Sequence, residues 1–179
     1  MTNVVSSIWD SPDPRVSLLI ATPEQSGVIT ALHRAAFETA WSESSINQLL
    51  EADTAVAFLA SVDRAYRPAG FVIGRLLADE AEIITIAVAP AARRCGIGHA
   101  LLGGFMRAVA LAGAHRVVFE VAVDNQAALQ LYASRGFKTV GRRTGYYEGG
   151  ADGAATDALI LAAQIEPPPN RDERHGPNI

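Results

Sequence analysis

The sequence predicts a mixed α/β domain, for three reasons. Residues 54–89 contain three apolar runs joined by short polar connections, which is the pattern of an antiparallel meander. Residues 98–112 have a helical pattern and lie between the last of these runs and a further one at 116–122, which predicts a strand–helix–strand unit. Two closing runs, at 137–147 and 157–165, flank a glycine-rich segment and predict a final pair of strands.

The first part of this domain is predicted to hold one strand and two helices. Residues 16–21 form a short apolar run, and Thr22, Pro23 and Gln25 then have the chemistry of a helix start with a capping box. Ser42 is placed to cap a second, shorter helix. Helical spacing predicts the buried stripes of the two helices as Val28, Ile29, Leu32 and Ala36, and as Ile46, Leu49 and Leu50.

The same patterns predict the remaining elements. Strands are expected at 54–61, 70–78, 81–89 and 116–122, and a further helix from about 126 to 134.

One domain accounts for most of the chain, whose 179 residues are enough to bury a substantial core. Residues 16–165 carry all the predicted strands and helices. Residues 1–15 are expected to form an irregular lead-in. Residues 166–179 have proline and charge without an apolar pattern, which predicts a disordered tail.

Composition and charge limit the classes of partner. Hydrophobic residues make up 49% of the chain and charged residues 19%, as in soluble globular proteins. The net charge of -4 gives no reason to expect binding to nucleic acid or to an anionic membrane. A single cysteine, Cys95, excludes an internal disulfide. The sequence lacks the pattern of a signal peptide and of a membrane-spanning run, so a cytoplasmic location is predicted.

The segment PAARRCGIGHALL, residues 90–102, places two arginines and two glycines between a strand and a helix. A helix N-terminus has backbone N–H groups without intrahelical partners and attracts anions. Gly96 and Gly98 would let an anion approach the backbone, and Arg93 and Arg94 would add positive charge. The segment lacks the lysine of a P-loop and the third glycine of a Rossmann fingerprint. It predicts a pyrophosphate-binding turn, with a tight turn carrying solvated arginines as the alternative.

Two motifs in this order and at this separation resemble the core of the Gcn5-related N-acetyltransferases (GNAT). The acetyl-coenzyme A motif of that family, R/Q-x-x-G-x-G/A, is matched by Arg93, Gly96 and Gly98. The second motif, N-x-x-A-x-x-L-Y-x-x-x-G-F, is matched by Asn125, Ala128, Leu131, Tyr132, Gly136 and Phe137. The resemblance implies the GNAT fold, a mixed and mostly antiparallel sheet of about six to seven strands with a central splay, flanked by about four helices.

A further stretch narrows the resemblance to the RimI-type acetyltransferases, which modify the N-terminal alanine of a small-subunit ribosomal protein. GRRTGYYEGGADGAATDALIL is similar to their arginine-rich strand, Tyr-Tyr pair, glycine-rich loop and D-A-x-x-M/L segment, and AFETAWSES to their A-F-P-W-S-E. The resemblance covers roughly residues 16–165. Ala40 stands where that group usually has proline, and His99 replaces a common arginine or lysine.

The resemblance implies acetyl-CoA as co-substrate and assigns residues to it. Its pyrophosphate is expected on the turn formed by Arg93, Arg94, Cys95, Gly96, Ile97, Gly98 and His99. Its pantetheine arm is expected to pair like an extra strand with the backbone of Ile86, Ala87 and Val88. Contact of this arm with Asn125 is also implied, although Asn125 or Asp124 would cap the next helix in any case.

Acetyl transfer to an amine requires a base for the attacking amine and an acid for the departing thiolate. An α-amine has a pKa of about 7.7–8.0 and a thiol one of about 8.5, so both proton transfers matter at neutral pH. The resemblance implies Glu120 as the general base, acting through a water, and Tyr132 as the general acid. The alternatives are a solvent-facing glutamate on an alternating strand and an ordinary core tyrosine.

Trp41, Tyr146 and Tyr147 are candidates for the wall of a peptide-binding groove. Adjacent tyrosines on a strand face opposite sides, so only one of the pair is expected to reach a given substrate. A core position is the alternative for Trp41. A nucleophilic role for Cys95 with His99 is disfavoured, because no third group that would orient the base is evident. The other histidines are not clustered with further ligands, and no metal site is predicted.

The leading hypothesis is an enzyme that moves an acetyl group from acetyl-CoA to the N-terminal amine of a protein by direct attack. The N-terminal alanine of a small-subunit ribosomal protein is the favoured acceptor. The alternatives are an acetyltransferase for a small-molecule amine and an acyl-CoA-binding regulator that catalyses little. The oligomeric state is left open.

Overall fold

The computed structural model describes residues 16–62, 67–147 and 155–166, which form seven strands and four helices. The strands are β1 (Val16–Ile20), β2 (Ala55–Val62), β3 (Arg67–Leu77), β4 (Glu80–Val88), β5 (Arg116–Ala122), β6 (Lys138–Tyr147) and β7 (Thr156–Gln164). The helices are α1 (Ser26–Ala36), α2 (Glu43–Glu51), α3 (Ile97–Leu111) and α4 (Gln126–Ala133). The predicted lead-in, the tail beyond Glu166 and most of the glycine-rich loop lie outside the described residues. Within these residues, no helix combines the length and apolar character needed to cross a membrane.

The strands form one sheet in the order β1-β2-β3-β4-β5-β7-β6. All neighbouring pairs are antiparallel except β4 and β5, which run parallel. A parallel pair needs a crossover connection, and α3 supplies it. The predicted fold class, a mixed and mostly antiparallel sheet with a strand–helix–strand unit, is therefore confirmed.

The helices cover the two faces of the sheet differently. One face packs against α3 and α4, around large buried side chains such as Leu101, Phe105 and Tyr132. The other face packs against α1 and α2, which lie mainly over β2, β3 and β4. The second layer therefore stops near the middle of the sheet.

The predicted starts of the first two helices are confirmed. The side chain of Gln25 accepts a hydrogen bond from the backbone N–H of Thr22 at 2.8 Å, and a 3-10 turn then leads into α1. Ser42 caps α2, because its hydroxyl oxygen accepts from the backbone N–H of Ser45 at 3.1 Å.

The buried stripe of α1 differs from the prediction. Ile29 and Leu32 are buried as expected, but Val28 is 39% exposed. The helix instead turns Ser26 and Thr30 inward, where the Thr30 hydroxyl donates to the Ser26 carbonyl at 2.8 Å. This hydrogen bond within the helix satisfies the buried hydroxyl. The buried face of α1 therefore includes Ser26 and Thr30 and excludes Val28.

The parallel ladder between β4 and β5 is short. It ends where Ile83 is opposite Phe119. Beyond that point β4 stays paired with β3 as far as Val88, and β5 stays paired with β7 as far as Ala122. The two central strands therefore diverge, which confirms the predicted splay.

A β-bulge lies where these strands separate. Gly74 of β3 is opposite Ile83, but the preceding β3 residue is opposite Thr85. The intervening Ile84 is therefore an extra residue in β4. A bulge adds twist and shifts the alternation of side chains by one position. As a result Ile83 and Ile86, rather than Ile83 and Thr85, pack on the side that α3 covers.

Substitution of Gly74 tests this packing. An added methyl group would lie 2.5 Å from the ring of Phe105 and against the backbone carbonyl of Glu82. Because neither a buried ring nor a backbone carbonyl moves easily, we expect Gly74→Ala to lower the free energy of unfolding by about 1–3 kcal/mol.

Gly103→Ala is the matched control, because its methyl group meets only the flexible end of Arg135. In the interior of α3 it should be neutral or stabilise by up to about 1 kcal/mol. Urea unfolding measures both variants, and equal effects would contradict the close contact at Gly74.

Candidate active site

The glycine turn between β4 and α3 leaves the first turn of α3 open. Gly96 is the N-cap and has a left-handed φ of 76°. A methyl group added there would meet no atom of the described residues within 4 Å, apart from its chain neighbours. Ala100 donates the first intrahelical hydrogen bond, to the Gly96 carbonyl. The N–H groups of residues 97–99 therefore project from the helix end, where an anion would be stabilised.

Arginine side chains lie beside this helix end. Arg93 and Arg94 are both exposed, and Arg93 Nε donates to the Val88 carbonyl at 3.4 Å. The guanidinium of Arg93 thus links the turn to the end of β4. The turn combines open backbone N–H groups with two exposed positive charges, as a pyrophosphate site requires.

Cys95 and His99 point to different surroundings. Cys95 is exposed, and its thiol lies 3.6 Å from the Arg93 carbonyl. His99 Nε2 lies 3.1 Å from the hydroxyl oxygen of Ser134, at the end of α4. Since His99 is engaged with α4, the geometry gives no support to a nucleophilic pair.

Gly98 has a packing role that the sequence analysis did not identify. A methyl group there would meet Leu131 of α4 at 3.1 Å and Val88 at 3.9 Å. Arg135 adds a second link between the helices, since its guanidinium donates to the His99 carbonyl at 3.0 Å. The prediction treats Gly96 and Gly98 alike, whereas the open approach is at Gly96 and the close helix contact is at Gly98.

The backbone of β4 is open along the edge that faces β5 beyond the splay. Ala89 donates its N–H to Ala69 of β3 at 2.8 Å, and alternate residues of a strand direct their backbone groups to opposite edges. Ala87 therefore also faces β3, whereas Ile86 and Val88 direct their N–H and C=O groups to the gap, where the Val88 carbonyl accepts from Arg93. Two of the three predicted residues thus have the orientation that pairing with an extended ligand requires.

Glu120 is the β5 residue that follows the last parallel pair. Its side chain is 21% exposed and forms an ion pair with Arg143 of β6, with Nε 2.8 Å from Oε1. Tyr146 donates a hydrogen bond to the same carboxylate. This bond and then the negative charge of Glu120 raise the pKa of Tyr146 above its usual value. The predicted base therefore lies at the splay, held by two side chains of β6.

Arg143 was not identified from the sequence. Strict alternation along GRRTGYY would direct Arg143 and Tyr146 to opposite faces, since they are three positions apart. A register irregularity between Arg143 and Tyr147 turns Tyr146 to the side that Arg143 already occupies, so both side chains reach Glu120. The side chain of Tyr147 lies outside the part of the chain that the structure describes.

Tyr132 and Asn125 are held by α4. The Tyr132 ring is fully buried, 4.6 Å from the Phe119 ring and 5.4 Å from the Phe137 ring between centroids. Because Phe119 ends the parallel ladder, Tyr132 packs at the point of strand separation. Asn125 caps α4, since its Oδ1 accepts from the Ala128 N–H at 3.1 Å.

Trp41 forms the wall of a groove on the α1–α2 side of the sheet. The groove has a volume of about 430 Å³ and is lined by Trp41, Ser45, Gln48, Leu49 and Ile84. The Trp41 ring stacks on the His33 ring, with 4.9 Å between the ring centroids. The backbone N–H of Trp41 donates to His33 Nδ1 at 3.4 Å. Burial lowers the pKa of His33, which keeps the imidazole neutral and able to accept this bond. Since Ile84 is the bulge residue, the groove reaches the splay.

Three comparisons identify related proteins. Residues 27–137 match the acetyltransferase (GNAT) family. The chain is 38% identical over 97 residues to the ribosomal protein bS18-alanine N-acetyltransferase of Escherichia coli K12, covering 54% of this chain and 64% of that protein. It is 44% identical over 81 residues to the N-alpha-acetyltransferase RimI of Mycobacterium tuberculosis, covering 45% and 49%. The chain thus spans less than two thirds of the length of these curated relatives.

A solved structure extends the similarity over most of the fold. The crystal structure of the Escherichia coli ribosomal-protein-S18-alanine N-acetyltransferase has a TM-score of 0.78 and 27% identity, over 87% of this chain and 97% of that one. Together with the splayed sheet and the open turn before α3, these matches show that the chain belongs to the GNAT acetyltransferase family.

Proposed function

We propose that this protein transfers an acetyl group from acetyl-CoA to the N-terminal α-amine of a protein. The N-terminal alanine of a small-subunit ribosomal protein is the favoured acceptor, which agrees with the name of the Escherichia coli relative. The observation that carries the proposal is the separation of β4 and β5. It leaves an open backbone edge, a carboxylate and a helix N-terminus at the same end of the sheet.

The residues around the splay fit acetyl-CoA. We assign its diphosphate to the N–H groups of residues 97–99, with Arg93 and Arg94 supplying positive charge and Gly96 leaving the approach open. We assign its pantetheine arm to the open edge of β4, where a ligand can pair with the backbone as an added strand. The co-substrate supplies the activated acetyl group as a thioester.

Asn125 is assigned to the same arm. Its cap on α4 uses the side-chain carbonyl oxygen, and the amide NH₂ of that side chain is a separate donor. Capping and ligand contact are therefore compatible in one residue, and the cap fixes where the amide donor lies.

Glu120 is assigned as the general base. An α-amine with a pKa of about 7.7–8.0 is largely protonated at neutral pH and must lose a proton before it attacks. The partly exposed carboxylate is accessible to a water that can carry this proton. Arg143 and Tyr146 bind the carboxylate from the β6 side and thereby fix its orientation.

Tyr132 is assigned as the general acid. A phenol is a weak acid suited to protonating a departing thiolate. Its ring is packed between Phe119 and Phe137, so the hydroxyl group is held in one place at the splay. This rigidity lowers the entropic cost of bringing the acid to the reacting atoms.

We assign the acceptor to the groove beside Trp41, whose lining favours a peptide over a polyamine. Its lining is neutral and includes the aromatic wall of Trp41. The charge of the nearby Glu82 contributes to the raised pKa of Tyr146. Glu82 is itself paired with Arg75, with Oε2 2.6 Å from Nη2. A polycationic amine would be bound best by unpaired carboxylates, whereas a small N-terminal side chain suits a neutral, partly apolar groove.

Replacing Glu120 tests the assignment of the base. We expect Glu120→Gln to lower kcat/KM for a peptide about 10²–10³-fold, because the amide side chain cannot accept the proton of the amine. Glu80→Gln is the control, because Glu80 pairs with Arg116 at the opposite end of β4 and β5. An unchanged kcat/KM in Glu120→Gln would rule out this role.

Acceptor choice tests the proposed function as a whole. Acetyl-CoA is offered with peptides that differ only in their first residue, with an N-terminally blocked peptide containing lysine, and with spermidine. Mass spectrometry should locate the acetyl group on the α-amine of the alanine peptide, at a rate about tenfold or more above the other acceptors. Faster acetylation of spermidine or of the lysine side chain would show that the proposed acceptor is wrong. Tight coenzyme binding without turnover would favour a regulator.

A further inference from the structure

β6 contains an irregularity beside Glu120. Arg143 is opposite Ala158 of β7, but Tyr147 is opposite Thr156, so β6 accommodates two extra residues in this interval. Gly145 has a left-handed φ of 62°, which a glycine adopts without strain. We call residues 144–146 the β6 bulge.

Asp157 of β7 binds β6 at two points, one within the β6 bulge and one just before it. Its Oδ1 accepts from the backbone N–H of Gly145 at 2.8 Å. Its Oδ2 accepts from Nε and Nη2 of Arg142 at 2.7 and 2.6 Å. The Asp157 side chain is only 18% exposed, although Arg142 is 61% exposed. The hydrogen bond from Gly145 and then that from Arg142 lower the pKa of Asp157, so the carboxylate is charged at neutral pH.

The β6 bulge decides where Tyr146 points. In a regular strand residue 145 would share a face with Arg143, and Tyr146 would lie on the opposite face. With the bulge, Tyr146 donates to Glu120 and its ring lies 5.3 Å from the Arg143 guanidinium. Arg143 itself stands in the regular ladder opposite Ala158. Only Tyr146 therefore depends on the bulge for its direction.

We propose that Asp157 is a positioning residue for the acceptor side of the site. By binding the Gly145 N–H and Arg142, it fixes the β6 bulge and so holds Tyr146 against Glu120. Tyr146 is 46% exposed, and a side chain so exposed would otherwise occupy several rotamers. The inference rests on the proposed function, in which Glu120 is the base. It also gives a role to Asp157, the aspartate of the D-A-L-I-L segment, which has no part in the mechanism proposed above.

The first test does not require activity. NMR of the protein labelled at the tyrosine ring carbons follows each tyrosine as the pH is raised. One signal, absent in Tyr146→Phe, should titrate above the usual pKa of about 10. In Asp157→Ala this pKa should fall towards the usual value, whereas Asp157→Asn keeps an oxygen for the Gly145 N–H and should preserve most of the shift. An unchanged Tyr146 titration in Asp157→Ala would overturn the proposal.

The second test is a double-mutant cycle on kcat/KM for the alanine peptide. Asp157→Ala should lower kcat/KM about tenfold in the wild-type background and less than about threefold in the Tyr146→Phe background. Equal losses in both backgrounds would mean that Asp157 acts on general stability and not through Tyr146. Glu80→Ala, which removes a comparable ion pair at the far end of the sheet, should change kcat/KM less than about twofold.

The two tests separate the inference from the proposed function. If the wild-type protein acetylates no peptide, the proposed function fails. The tyrosine titration still decides whether Asp157 holds Tyr146 against Glu120.

Discussion

The short parallel ladder between β4 and β5 is the constraint on which the rest of the structure depends. It ends at Ile83 and Phe119, and beyond it each strand is held by its antiparallel neighbour on the other side. Because β3 and β7 fix the two strands independently, the gap between them does not need a ligand to open it. The backbone edge of β4, the carboxylate of Glu120 and the open end of α3 are thus positioned by the sheet before any substrate binds, which lowers the entropic cost of binding and reaction.

Two irregularities in the strands complete the site. The extra residue Ile84 turns the end of β4 and contributes to the groove beneath Trp41. The β6 bulge brings Tyr146 to the same carboxylate as Arg143. Bulges commonly change the direction of side chains at active sites. Here the bulge at Ile84 shapes the groove beside Trp41, and the β6 bulge directs Tyr146 to Glu120. A regular β6 would have directed Tyr146 away from Glu120.

Local patterns predicted the elements well, and the site only in part. β5 occupies the predicted range, and the Ser42 cap follows from one residue type at one position. The bulges were missed because a register shift depends on the partner strand, which the period of a single strand does not encode. The Arg143–Glu120 pair was missed because it depends on the order of the strands in the sheet, and the contact of Gly98 with Leu131 depends on how two helices meet. Contacts between residues that are far apart in the sequence could therefore be identified only from the three-dimensional structure.

Amide protection on binding coenzyme A tests the central claim most directly. Hydrogen exchange followed by NMR should show slower exchange at Ile86, Val88 and residues 97–99 when coenzyme A is added, because these N–H groups face the gap or project from α3. The Ala87 N–H should be unaffected, because it faces β3. Binding that protects other amides and leaves these unchanged, or no binding at all, would contradict the account.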